Sequence, residues 1–449
     1  MTGLPFSLSN PPEHQAALPA AADCVVIGGG IIGITAALFL ARKGQRVVVL
    51  EKGRVGAEQS GRNWGWIRTQ GRDLAEIPVS LEARQLWRAL DQQCGGRLGV
   101  ATIGVSYLAG GQKDMDRYAA WLEGAQGHDG LDSRLVDRAA LADVLPGLQG
   151  DWVGALHTPS DMVGEPWVAV PEIARLAASE GVAIREHCAV RCLDMVRGRV
   201  AGVVTEAGRI AAPRVVLAGG AWSALFLRNH GAWLPQLSVR STVMATEACP
   251  DAFTGAAIDG RVAMRRRADG GYSLARATMS EFFVGPDAFR ALRAFLPVLR
   301  QGGFPVSFRG LAPKGHPDGW RTKRRWRPDE ETPFERMRIL DPAPETGRVR
   351  TAHAAFKDRC PAAGAPGIKA AWAGMIDTTP DVVPVVDHCA DLPGLVVATG
   401  MCGHGFGIGP GFGRIVSDLV TGDDPGHDMD RFRWGRFTDG SPIRLGPDL

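Results

Sequence analysis

The sequence predicts an α/β chain of two lobes: a parallel-sheet lobe entered through one glycine-rich βαβ unit, and a mixed α+β lobe inserted into it. Three observations predict this. First, residues 23–51 read strand, helix, strand: the apolar run Cys24-Val25-Val26-Ile27 stops at Gly28-Gly29-Gly30-Ile31-Ile32-Gly33, Ile34, Ala37, Leu38 and Ala41 recur at helical spacing up to Gly44, and a second apolar run, 47–50, delivers Glu51. Second, 449 residues exceed what one core normally serves. Third, 58 glycines and 30 prolines suit the many short loops of interleaved strands and helices.

The βαβ unit carries chemistry. Gly28 permits the tight turn, Gly30 lets the backbone approach a pyrophosphate, and Gly33 lets the helix pack close to the strand. The helix N-terminus supplies unpaired N–H groups and a positive dipole end. Glu51 follows Gly33 by 18 residues, where a carboxylate accepts hydrogen bonds from an adenosine ribose. This is a dinucleotide site.

Downstream stand Ser60-Gly61-Arg62-Asn63, then AGGAW at 218–222, then GHGFGIGPGFG at 403–413. In this order, with the opening motif, the chain resembles the FAD-dependent amine and amino-acid oxidoreductases of the D-amino-acid oxidase, glycine oxidase and sarcosine oxidase superfamily. The resemblance spans about 23–421, dense at both ends and thin in the middle. It implies a Rossmann-like FAD lobe assembled from 22–100, 150–220 and 369–425, with a substrate lobe made of 101–149 and 221–368. Residues 1–21 are then a loose N-terminal extension and 426–449 a surface tail. The implied cofactor contacts are Gly28, Gly30, Ile32, Gly33, Glu51 and Lys52 from the first motif; Ser60, Gly61, Arg62 and Asn63 from the second; and Val190, Gly219 and Trp222 near the third. Gly403, His404, Gly405, Phe406, Gly407 and Ile408 complete the set at the flavin edge. For Val190 a buried strand position without ligand contact is the competing reading.

Taken in order, the remaining elements are a helix over 78–94, a strand over 102–108, and helices over 115–126, 137–145 and 171–179. Strands follow at 182–184, 189–194, 200–205 and 209–217. In the inserted lobe 239–245, 262–267 and 271–277 read as strands, and the mixed charge run 321–338 as a solvated face or lobe contact. A strand at 395–399 then precedes a helix from about 410 to 419. By the resemblance, that helix aims its N-terminus at the region where a reduced flavin gathers negative charge.

Composition narrows the class. The 51 Lys+Arg nearly balance 48 Asp+Glu, which gives no sign of a nucleic-acid or membrane surface. Eight scattered cysteines without a CxxC pair point to reduced thiols, a cytoplasmic setting and no metal site. No apolar run reaches transmembrane length, and no secretory leader is read in 1–22.

Three residues are candidates for the reaction itself. In the resemblance, Arg68 meets the arginine by which sarcosine oxidase binds the substrate carboxylate; an intralobe ion pair is the competing reading. His404 shapes the flavin edge or is held structurally, and Tyr272 either closes the substrate chamber or sits there by chance. Departures from the family count as well. Ile376 replaces glycine oxidase's carboxylate-binding arginine, and Gly407 replaces sarcosine oxidase's lysine after GHGF. No cysteine lies near Gly374, so FAD is expected to be held non-covalently. No lysine lies in 261–285, where the oxygen-activating one belongs. The expected activity is oxidation of a secondary amine, an N-substituted amino acid, with oxygen or a quinone or other electron carrier as acceptor. A D-amino-acid dehydrogenase and a flavin-bearing subunit of a larger assembly are the alternatives; the C-terminal GHGFGIG disfavours an NAD-dependent dehydrogenase.

Overall fold

The computed structural model describes residues 7–276, 280–300 and 306–446. Its first sheet explains why the opening strands are apolar at every position. Cys24–Ile27 (β1) pairs in parallel with Val47–Leu50 (β2) on one side and Arg214–Leu217 on the other. Alternate side chains of β1 enter different cores: Val26 packs with Ile34, Leu38 and Phe412, while Val25 packs with Val48, Leu193 and Val203. A parallel strand covered on both faces has no polar side to show. The full order is Val385–His388, Leu395–Thr399, Arg214–Leu217, β1, β2, Ala183–Arg185, with only the first strand antiparallel. The helices Ile31–Arg42 (α1), Pro166–Ser179 and Gly405–Thr421 cover one face. A three-stranded sheet, Val190–Val196, Arg199–Thr205 and Gly208–Ala211, covers the other.

The second sheet has ten strands. Its spine is Leu237–Thr246, which pairs along its whole length with antiparallel Ile368–Thr378 and on its other side with Tyr272–Ala275 and Ser280–Val284. Ala263–Arg266, Ala256–Ile258, Val105–Ala109, Gly154–Thr158 and Arg134–Asp137 continue it in that order. Helix Glu76–Gln93 packs against Gly405–Thr421 through Trp87, whose Nε1 donates to Gly407 O at 2.9 Å.

Several sequence boundaries move. Gly154–Thr158 and Ile368–Thr378 belong to the second sheet, not to the cofactor lobe, because their hydrogen-bond partners are Val105–Ala109 and Leu237–Thr246. The expected strand 209–217 is two strands in two sheets. Pro213 has no N–H to continue a ladder, and the chain changes sheets there. The expected helix 137–145 shrinks to Leu141–Val144, preceded by the strand Arg134–Asp137. The last residue of the expected strand 271–277 lies outside the described residues, and so do 1–6 of the N-terminal extension and 447–449 of the tail.

Neither terminus is loose where it is described. Ala16 N donates to Ile184 O at 3.1 Å, and Glu186 Oε2 accepts from Glu13 N and His14 N. At the other end Phe432 is fully buried against Phe412, and the buried Arg436 forks onto Asp381 at 2.8 and 3.1 Å. Arg431 reaches the same carboxylate at 3.2 Å. Asp381→Ala would strand a buried guanidinium, which typically costs about 3–5 kcal/mol. Urea unfolding should show a loss of that order, with new protease cleavage after residue 422; an unchanged midpoint would show that the tail contributes nothing.

Candidate active site

One cavity of about 510 Å3 runs from the end of β1 and β2 to the spine of the second sheet. The β1–α1 turn builds its first wall. Gly28 has φ +111°, and a Cβ there would lie 2.4 Å from Ala218 O. Gly30 caps α1 without a side-chain acceptor, and the first turn of α1 holds no acid, so the dipole end is open to the cavity. Ser60 Oγ accepts from Ile31 N at 3.0 Å, docking the second motif on the first. Glu51 accepts from Gly29 N and Gly53 N, each at 2.7 Å, and its burial pushes the carboxyl up to about 7 against those bonds.

Of the expected contacts, Gly28, Gly30, Ile32, Glu51, Lys52, Ser60, Arg62, Asn63, Val190, Gly219, Trp222, Gly403, His404, Gly405 and Phe406 line this cavity. Some are already committed to the protein. Lys52 Nζ donates to Glu58 Oε1 at 2.6 Å and to the carbonyls of Met337 and Arg338, and lies over the Trp222 ring. Arg62 donates to Ala57 O and Ala373 O and pairs with Asp341. Part of the charge run 321–338 is thus a lobe contact, as Arg338 on Glu206 and Arg191 on Glu335 also show.

Five expected residues stand elsewhere. A Cβ on Gly33 would lie 2.0 Å from Gly28 O, so this glycine serves helix–strand packing. Gly61 is buried in the turn Gln59–Arg62 without reaching the cavity. Gly407 and Ile408 are interior because the helix begins at Gly405, five residues before the expected start. There Gly407 sits against Trp66 O and Ile408 in the core. Tyr272 does not close a chamber: fully buried, it packs on Phe356, and its hydroxyl donates to Phe253 O at 2.8 Å and accepts from Phe253 N at 3.0 Å.

The far wall is rich in cations and poor in partners. Arg68 donates to Gln70 O and lies over the Tyr107 ring at 5.4 Å, with no carboxylate in ion-pair reach among the described residues. Arg72 also lines the cavity; its Nη1 is buried without a hydrogen bond, and burial pulls it down to about 9. Arg276, from the end of Tyr272–Ala275, enters from the second lobe with no ion pair or hydrogen bond among the described residues. Beneath them, both oxygens of fully buried Glu76 lack partners, and burial raises its carboxyl to about 7. His404 Nδ1, also unpartnered, is 3.8 Å from Glu76 Oε2, and burial followed by Arg72 and Arg68 holds this imidazole neutral.

Sequence reasoning missed Glu58, Arg72, Glu76, Arg276 and Asp377. Asp377 Oδ2 accepts from Gly400 N at 2.8 Å and Gln236 Nε2 at 2.9 Å, while Oδ1 is buried and unpartnered on the cavity wall. Only Arg72 had a signal, its spacing from Arg68 beside the second motif. The residues present fit FAD. N-termini of two long helices, α1 and Gly405–Thr421, face one cavity, neither with an acid in its first turn, and the Glu51 carboxylate lines the same cavity.

Comparison with known proteins agrees with that fit. A family model described as FAD dependent oxidoreductase (DAO) matches residues 23–419. Glycine oxidase of Pseudomonas putida is 31% identical over 316 residues, covering 66% of this chain and 83% of its own. Human mitochondrial sarcosine dehydrogenase is 26% identical over 94% of this chain, which spans only 42% of that longer protein. Among solved structures, L-amino acid deaminase from Proteus myxofaciens, in complex with anthranilate, superposes with TM-score 0.88 at 32% identity. It covers 94% of this chain and 95% of its own.

Two measurements check this site. Glu76 titrates near 7 in the fold against 4.5 in the unfolded chain, so the native state binds the extra proton and stability falls as pH rises from about 4.5 to 7. Glu76→Gln should remove the share of that decline due to Glu76, leaving that of Glu51, and stabilise the cofactor-free protein at pH 8 by up to about 3 kcal/mol; parallel pH profiles would refute the assignment. Glu51→Ala should raise the dissociation constant for FAD about ten- to a hundredfold, and acid precipitation of the parent should release its FAD. Equal retention on gel filtration by variant and parent would remove Glu51 from the site.

Proposed function

The chain belongs to the DAO family of FAD-dependent oxidoreductases, and from that premise we propose that it oxidises the Cα–N bond of an amino acid. The observation that carries this reading is a cavity with two arginines, Arg68 and Arg276, that no carboxylate neutralises among the described residues. A partly buried cation without a carboxylate partner asks for an anion, and a guanidinium holds a carboxylate through two parallel bonds. FAD, when bound, would supply the two-electron acceptor for the hydride that leaves Cα, while the amine nitrogen loses a proton and the Cα–N bond becomes C=N. The chain's part is to orient and dry the substrate. One or both arginines bind the carboxylate, and Trp64, Trp66 and Phe406 wall the chamber. His404, held neutral by burial and the neighbouring Arg72 and Arg68, adds no further charge to the chamber. The resulting imine hydrolyses in water to a carbonyl compound and an amine or ammonia.

The Proteus deaminase, matched over nearly the full chain, favours a primary α-amino acid. A second reading, an N-substituted amino acid, draws on Ile376, Gly403 and Gly374. Ile376 and Gly403 pack together as an apolar stretch of wall before the GHGF helix, and Gly374 lies against the stem of Arg62. The eight unpaired thiols favour a cytoplasmic setting. The electron acceptor is proposed to be a carrier such as a quinone, since 261–285 holds no lysine to activate oxygen.

An anaerobic panel of D- and L-amino acids and their N-methyl forms, scored by flavin bleaching, tests the reading. Ammonia release marks a primary substrate and amine release a secondary one. Arg68→Ala or Arg276→Ala should raise the apparent Kd of the best substrate about ten- to a hundredfold, and the matching lysine variant should recover only part. If both alanine variants bind normally, the carboxylate model is wrong.

A further inference from the structure

The overall charge balance hides a local imbalance. Between residues 286 and 325, before Trp326 turns back into the first-lobe core, the chain carries nine arginines and lysines against two aspartates. That segment is net +7 in a chain of net +3, so everything else is net negative. Both aspartates are mostly buried and bound to Arg228, Arg290 or Arg324. Glu281 beneath the segment is fully buried and takes Arg240 and Arg309, and Lys323 is taken by Glu330. Arg293, Arg300, Lys314 and Arg321 remain exposed, with no ion pair among the described residues.

The same segment displays the most exposed large apolar side chains described: Phe308 at 69%, Leu311 at 67% and Phe289 at 63%, joined by Leu292, Leu299 and Trp320. They form a surface rather than a scatter. Phe289 packs edge-on against Trp320 at 6.1 Å, and Trp320 Nε1 donates to Val284 O at 2.8 Å. Val284 is the register partner of Leu311, and Phe282 that of Phe308. The irregularity between those pairs sets three residues of Val306–Leu311 against two of Ser280–Val284, so Phe308 and Leu311 share one face. On helix Leu292–Arg300, Leu292 and Leu299 are two turns apart on one face, at the exposed margin of the stripe that buries Phe295.

We propose that this face docks on anionic phospholipid bilayers, the aromatic and leucine side chains entering the headgroup–acyl boundary and the free cations meeting lipid phosphates. Exposed Phe, Trp and Leu flanked by Arg and Lys suit a planar apolar–polar boundary of negative charge better than a protein groove. Ser280 and Val306, the first residues of the two edge strands, line the catalytic cavity. The docking face therefore adjoins one wall of the cavity.

The test is flotation of the FAD-loaded full chain with neutral phosphatidylcholine vesicles and with vesicles containing phosphatidylglycerol. Binding should require phosphatidylglycerol and weaken with salt. Arg293→Glu with Arg321→Glu should cut partitioning at least tenfold, on a cost of about fivefold per cation removed from the surface. Phe308→Ser with Leu311→Ser should do the same without altering the flavin spectrum or Tm, which shows that the variants are folded. No flotation with anionic vesicles would overturn the proposal. So would sedimentation showing a lipid-free dimer that the Phe308→Ser, Leu311→Ser variant dissolves, which would assign the face to a second copy of the chain.

Discussion

The approach of α1 to β1 at Gly33 and Gly28 is the contact on which the rest of the site depends. No other side chain fits where a Cβ would lie 2.0 Å from a carbonyl oxygen, and only there does the start of α1 stay within reach of Glu51 and Ser60. Glu51 accepts from Gly29 N inside this turn, so the strand that delivers the carboxylate also fixes the turn. Replacing either glycine would move the helix, the carboxylate and the docked second motif together. A cofactor reading the pyrophosphate end and the ribose end at once needs that rigidity.

The second constraint is electrostatic. Buried polar groups normally find partners, yet Arg72 Nη1, both Glu76 oxygens, His404 Nδ1 and Asp377 Oδ1 have none, and Arg72, His404 and Asp377 line the cavity. Some of the unmet bonds thus face the cavity. Burial drives the acid up and the base down, so Glu76 and His404 approach neutrality together, while Arg68, Arg72 and Arg276 line the same cavity.

The two lobes share more than a seam. Ile368–Thr378 runs through the second sheet and ends at Asp377, which Gly400 holds from the first lobe. The C-terminal residues clamp back through Asp381, four residues on. Forces on Ser280–Val284 and Val306–Leu311 therefore act on the sheet that walls the cavity.

By itself the sequence determined whatever local rules enforce: the βαβ turn, because only glycine tolerates its φ and its contacts; both apolar parallel strands; the cofactor class, from four motifs in order; and Arg68 beside the cavity. Tertiary structure decided what depends on distant partners. Strands 154–158 and 368–378 changed lobes because a strand's sheet is set by its hydrogen-bond partners, which periodicity does not name. Tyr272 became core because Phe253 and Phe356 surround it, and Arg276 reaches the cavity from the second lobe with no ion pair among the described residues. The tail docked because Arg436 finds Asp381 55 positions earlier. Charge shows the same divide: a sum over the chain averages away the basic, aromatic edge that folding gathers on one face.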